Sequence, residues 1–314
     1  MKNRLKKITL AIPMLLLLTS CSLPGLGGDT ESDIVIASGN TTERQIVSEM
    51  VSQMLEHYTK DIKIDIINNL GSTNLIHQSL MTDNANISGI MYTGTSLTGE
   101  LEMEPITDPE KAMNIVVKEY KKRFNEKWYP SYGFENTYAF MVTREFSEKN
   151  NITKVSQLKD IAKELKAGVD TAWIQRKGDG YEDFKRIYGY DFQKVYPMEI
   201  GLVYNAVDAG EMDIVLGYTT DGRIQSNDLV VLEDDKNLFP PYDASPAATY
   251  ELIEKYPIVD KVLLKLEGTI SSEQMQKLNR LADEELVEPK NVAKKFLEDN
   301  NYFKDKEPMI SEAK

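Results

Sequence analysis

Short apolar runs alternate with amphipathic stretches along most of this chain. Ile34-Val35-Ile36 reads as a buried strand. Ile46, Met50, Met54 and Tyr58 then recur at helical spacing, with Val47, Val51 and Leu55 widening the stripe. Asn40 and Glu43 predict the start of that helix, a cap and its reciprocal acid three residues on. Free N–H groups at such a start, around Ser38 to Thr42, suit a carboxylate. Ile62, Ile64 and Ile66 alternate and predict a strand over 62–67, followed by a helix over 73–81 and a strand from Ile87 to Tyr92. Asp108-Pro109 opens a further helix, proline being well suited to the first helical position. Strands alternating with helices imply parallel sheets covered on both faces.

The texture changes at Trp128-Tyr129-Pro130, and residues 128–140 are dense in aromatics and turn formers. A second alternating set follows. Tyr138 to Val142 predicts a strand, Ser156 to Leu165 a helix, Ala167 to Val169 a strand and Tyr181 to Tyr188 a helix. Val195 to Met198 predicts a strand, Gly201 to Ala209 a helix, and Ile214-Val215-Leu216 a strand that breaks at Gly217. Past Ser245-Pro246 the pattern is helical, over 246–256, 258–267, 272–286 and 289–299. One set nested inside the other predicts an α/β fold of two lobes, 33–128 plus 233–314 and 129–232, with a cleft between them. Ligands of such sheets lie beyond the carboxyl ends of the strands.

Composition narrows the function. The 314 residues carry a formal net charge of −13, which gives no purchase on nucleic acid phosphates. The single cysteine excludes an intrachain disulfide framework, and its position is informative. Lys2, Arg4, Lys6 and Lys7 precede an apolar run from Ile8 to Leu18 and then Leu18-Thr19-Ser20-Cys21. A basic start, an apolar core and small residues before a cut describe a secretory signal over 1–20. The run is short of the roughly 20 apolar residues of a membrane-spanning helix. Leu-Thr-Ser-Cys resembles a bacterial lipobox, in which the cysteine is acylated; Cys21 is then a lipid anchor, and 21–32, with its Pro and Gly, a flexible tether. The folded part is expected on the extracytoplasmic face of a cell membrane, held there without entering it.

Catalytic patterns are not found. His57 and His77 fall inside predicted helices and read as packing or surface residues; no G-x-S-x-G, H-E-x-x-H or phosphate-binding loop occurs. Asp234-Asp235 reads as a solvated loop, and no cofactor or metal is expected. Tyrosine is the residue that stands out. Tyr92 and Tyr218 end strands, Tyr138 begins one, and Tyr242 lies between Pro241 and Asp243. Rings placed so can face a common cleft.

Taken together, the segments IVIASGNTTE, NNLGS, YTGTSLTG, SYGFENTYAF, GLVYNAV, DIVLGYTTDGRI and FPPYDASP resemble the substrate-binding lipoproteins of osmoprotectant (OpuC-type) ABC importers. The resemblance runs over nearly the whole chain after Cys21. It implies a periplasmic-binding-protein type II fold acting as a monomer, a permease and ATPase as partners, and glycine betaine, carnitine or choline as ligand. By position it lays an aromatic cage on Tyr92, Tyr138, Tyr218 and Tyr242. Some members place Lys or Gln near the end of the first strand to hold the ligand carboxylate; here Ser38-Gly39-Asn40 offers no cation. Asn40, Thr41 and Thr95 with nearby backbone N–H groups are then the candidates. Rival readings are a binding protein for another solute such as an amino acid, for which Arg223 is the attractive arginine, a surface-anchored enzyme, and an adhesin or scaffold.

Overall fold

In the computed structural model, residues 32–304 are described. The expected signal, Cys21 and all but the last residue of the expected tether lie outside them. The first part of the chain runs β1 (Ile34–Gly39), α1 (Thr42–Tyr58), β2 (Ile64–Leu70), α2 (Thr73–Met81), β3 (Ile87–Tyr92), α3 (Thr93–Thr98), α4 (Pro109–Phe124) and β4 (Glu126–Trp128). The apolar stripe read from the sequence is what α1 buries: Ile46, Val47, Met50, Val51, Met54 and Leu55 are all sealed against the sheet and the C-terminal helices. Thr41, not Asn40, caps α1, its hydroxyl accepting from Arg44 N–H. Asn40 is exposed, and Glu43 turns inward. Gly89 of β3 lets α1 settle close, since a Cβ there would stand 2.9 Å from the Ser48 Cα.

The second part runs β5 (Tyr138–Thr143), α5 (Arg144–Asn150), β6 (Lys166–Asp170), α6 (Thr171–Ile174), α7 (Tyr181–Tyr188), β7 (Lys194–Met198), α8 (Val203–Asp208), β8 (Ile214–Tyr218), α9 (Arg223–Ser226) and β9 (Leu229–Val231). The chain then returns through β10 (Ala244–Thr249), α10 (Tyr250–Lys255), α11 (Pro257–Leu264), α12 (Ser272–Asp283) and α13 (Pro289–Asp299). Two five-stranded sheets result, ordered β2-β1-β3-β10-β4 and β7-β6-β8-β5-β9.

Neither sheet is wholly parallel, contrary to the sequence expectation. β1, β2 and β3 are parallel, but β10 pairs antiparallel with β3 and β4. Likewise β6, β7 and β8 are parallel while β5 runs antiparallel between β8 and β9. The reversed strands are the ones that arrive from the other sheet rather than through a helical crossover. β10 also corrects the helix expected over 246–256. Its Pro-Ala-Ala has no strand signature of its own, and burial inside the first sheet overrides local propensity. The helix expected over Ser156 to Leu165 is a pair of 3₁₀ turns, Val155–Asp160 and Ala162–Glu164. Asp234 and Asp235 are not merely solvated: Asp234 accepts from Tyr188 O–H and Phe239 N–H, and Asp235 accepts from Ser156 N–H and O–H.

The two sheets belong to one compact unit, and side chains tie them. On α12, Gln276 and Asn279 donate to the carbonyls of Thr219 (2.7 Å) and Thr220 (2.8 Å), just past β8. Gly222 presses against the Arg280 backbone, where a Cβ would stand 2.7 Å from it.

In the second sheet's core, Phe140 meets Trp173, Phe184, Phe192 and Phe239 at centroid distances of 5.1–6.3 Å. Phe140→Ala is expected to destabilise the fold by about 3–5 kcal/mol. A lowered urea midpoint at unchanged slope would show it.

Candidate functional site

Four tyrosines reach one place by four local devices. β3 ends on Tyr92, and β5 begins on Tyr138. Tyr218 ends β8 as the register partner of Tyr138, which sets their rings 5.0 Å apart and tilted by 32°. Tyr242 precedes β10, whose first residue, Ala244, pairs with Tyr92. Gly94 makes room for it: a Cβ there would stand 2.7 Å from Pro241 O and 3.0 Å from the Tyr242 ring.

All four line a cavity of about 330 Å³ in which Thr95 also takes part. Asn40 does not. It borders an adjoining depression with Gly71, Ser72 and Asn74, because α1 starts one residue later than the sequence suggested and its cap is Thr41, which does line the cavity. Arg223 is likewise elsewhere, forked onto Asp221 and donating to Gly201 O.

Two cations missed by sequence reading border the cavity. Arg44, in the first turn of α1, places its guanidinium 5.0 Å from the Tyr92 ring centroid and donates to Thr73 Oγ1 (2.8 Å). Gly39 allows this, since a Cβ there would collide with the Arg44 Cδ. Arg176, in the loop after α6, stands 5.5 Å from the Tyr138 centroid. Its Nε and Nη2 grip Asp179, and Nη2 also donates to the Tyr242 hydroxyl (2.8 Å). The sequence clue was the Arg176 to Asp179 spacing beside a glycine turn. Among the described residues no carboxylate lines the cavity.

Three of the phenols are held toward the neutral form. Burial, and then the Glu43 carboxylate, push Tyr92 well above the ordinary range. Burial and the hydrogen bond to Asp170 do the same for Tyr138, and burial raises Tyr242. A site walled by neutral rings, bordered by two guanidiniums and lined with threonine hydroxyls can accept a molecule that is cationic and apolar at one end and anionic at the other.

Comparison with known proteins bears on this geometry. A family model described as the substrate binding domain of ABC-type glycine betaine transport system matches residues 32–299. The chain is 49% identical over 291 residues to the carnitine transport binding protein OpuCC of Listeria monocytogenes, covering 93% of this chain and 94% of that one. It is similar, at 48% identity and a TM-score of 0.84, to a crystal structure described as a glycine betaine/carnitine/choline ABC transporter, over 86% of this chain and 99% of that one. Lactococcal OpuAC, closed on glycine betaine, shares the fold at 15% identity and a TM-score of 0.54, over 86% of this chain and 96% of that one. The fold is that of the type II periplasmic binding proteins.

For these phenols the linkage runs one way. Their folded pKa lies above the unfolded value of about 10. The stability they contribute is whole below that value and is lost as pH rises through the folded one. In an alkaline titration followed at the phenolate absorbance, Tyr92, Tyr138 and Tyr242 are expected to stay protonated after exposed tyrosines have ionised. Their late ionisation should coincide with unfolding.

Proposed function

The chain belongs to the family of substrate-binding domains of ABC-type glycine betaine transport systems, and we propose that it captures quaternary-ammonium solutes, carnitine, glycine betaine and choline among them, in a cage formed by Tyr92, Tyr138, Tyr218 and Tyr242. The observation that carries this is the convergence of four rings on one cavity, three from strand ends of both sheets and Tyr242 from the segment just before β10. A trimethylammonium has no N–H to give a carboxylate. Ring faces suit its spread charge, each contact contributing about 0.5–1 kcal/mol when exposed and 2 or more when desolvated. Four such contacts approach the roughly 8 kcal/mol of micromolar binding. An amino acid would instead bring an ammonium rich in N–H, for which the cavity wall offers no carboxylate among the described residues. The named relative is a carnitine transport binding protein.

The carboxylate of a zwitterionic solute falls to Arg44 and Arg176, with Thr41 and Thr95 as hydroxyl donors. Domain closure follows as part of the same proposal, one lobe built on each sheet. The bounds read from sequence, 33–128 plus 233–314 and 129–232, shift, because Tyr129, Tyr132 and Phe134 pack in the first core and Leu238 and Phe239 in the second. The ligand bridges the lobes and favours the closed state. The closed form is delivered to a membrane permease driven by an ATPase. Among the described residues no helix is long and apolar enough to cross a membrane. Acylation of Cys21 would supply the attachment, at about 0.8 kcal/mol per buried CH₂. The protein acts as a monomer on the extracytoplasmic face.

Calorimetry tests the cage. Tyr218→Ala is expected to abolish measurable binding of all three solutes while the far-ultraviolet spectrum and thermal transition are retained. Unchanged binding would end the assignment. Arg176→Gln is expected to weaken carnitine and glycine betaine about tenfold and choline, which has no carboxylate, by much less; equal losses would remove Arg176 from carboxylate recognition.

A further inference from the structure

Behind the rings stands a second layer, and it is acidic. Glu43, only 4% exposed, accepts from the Tyr92 hydroxyl at 2.5 Å. Asp170, 7% exposed, accepts from the Tyr138 hydroxyl at 2.5 Å. The Tyr218 hydroxyl lies 3.5 Å from that of Tyr138 and so reaches Asp170 through it. One carboxylate comes from α1 against the first sheet, the other from the end of β6 in the second.

Charge makes this arrangement matter. Arg44 and Arg176 bring two guanidiniums to the cavity wall. Asp179 offsets Arg176 directly, at 2.8 Å. Without Glu43 and Asp170 an incoming ammonium would meet a wall of net positive charge, and like charges at such range repel strongly where water is excluded. A bare carboxylate on the wall would need its own hydrogen bonds, which methyl groups cannot give. A phenol between the two meets both needs. Its O–H satisfies the carboxylate, and its ring face, enriched by a strong hydrogen bond to an anion, meets the methyls.

We propose that Glu43 and Asp170 are positioning residues that act through Tyr92 and Tyr138, one from each sheet, to supply the negative charge felt by a quaternary ammonium they never touch. The inference rests on the tyrosine-cage reading and adds to it the origin of cation selectivity. It separates the two features of the ligand head: shape is read by the rings, and charge by the layer behind them.

The test compares choline with 3,3-dimethyl-1-butanol, its neutral carbon analogue of the same shape. Glu43→Gln keeps an oxygen for Tyr92 and Asn136, whose amide now donates to Glu43 Oε1 at 2.9 Å. Its new N–H takes the place of the Oε2 that accepts from Asn279 Nδ2 at 3.3 Å, so that one contact is lost and a thermal melt must accompany this arm. Asp170→Asn is the independent arm in the other sheet. Dissociation constants would be measured by calorimetry, or by ligand-observed magnetic resonance where weak. Each variant is expected to lose tenfold or more in choline affinity and less than twofold for the neutral analogue. Equal losses for both ligands, an unfolded variant, or no loss would confine the carboxylates to structure and overturn the proposal. Wild-type protein that binds no quaternary amine would instead sink the cage reading itself, a different outcome from wild-type binding that the variants leave unchanged.

Discussion

The antiparallel ladder that β10 makes with β3 is the interaction on which the site depends. It fixes Ala244 opposite Tyr92, and with it Tyr242 two residues earlier. The backbone is stitched at the same point by Thr93 N–H to Asp243 O and by Thr93 Oγ1 to Pro241 O. A strand returning from the other sheet thus enters between β3 and β4 and brings a ring with it. Were that strand on the edge, its register would be less constrained and Tyr242 would lack a fixed address.

The corresponding device in the second sheet is the pairing of β5 with β8. Tyr138 begins one strand and Tyr218 ends the other, so antiparallel register sets them side by side. In both sheets the strand that runs against its neighbours is the one connecting the sheets, and in both it places an aromatic residue at the cavity. Topology and recognition are therefore one arrangement: the connections that join the two sheets also furnish the wall.

Much of this was legible in the sequence because it is local. Apolar spacing marked α1, the Asp108-Pro109 start marked α4, and the strand-end positions of Tyr92 and Tyr218 pointed toward a cleft. What was not legible is long-range. Pro-Ala-Ala-Thr in β10 carries no strand signal, and only burial between two neighbours makes it extended. Asn40 looked like the better cap, yet Thr41 holds the extended backbone and the hydroxyl geometry. Arg44 sits on a helix turn where any arginine reads as solvated, and its route over Gly39 to the Tyr92 ring exists only once β1 and β3 are side by side. Arg176 needed Asp179 and Tyr242, three and 66 residues away, to gain a fixed place.

The grip of α12 on the segment after β8 has a mechanical consequence. Gln276 and Asn279 hold the carbonyls of Thr219 and Thr220, and the Arg280 backbone leaves no space beyond Gly222. Prising the halves apart in straight translation would tear these contacts at once. A swing about α12 would keep them, as a door keeps its pin. At the cavity, the contact from Arg176 Nη2 to the Tyr242 hydroxyl would then have to slip for those two side chains to part.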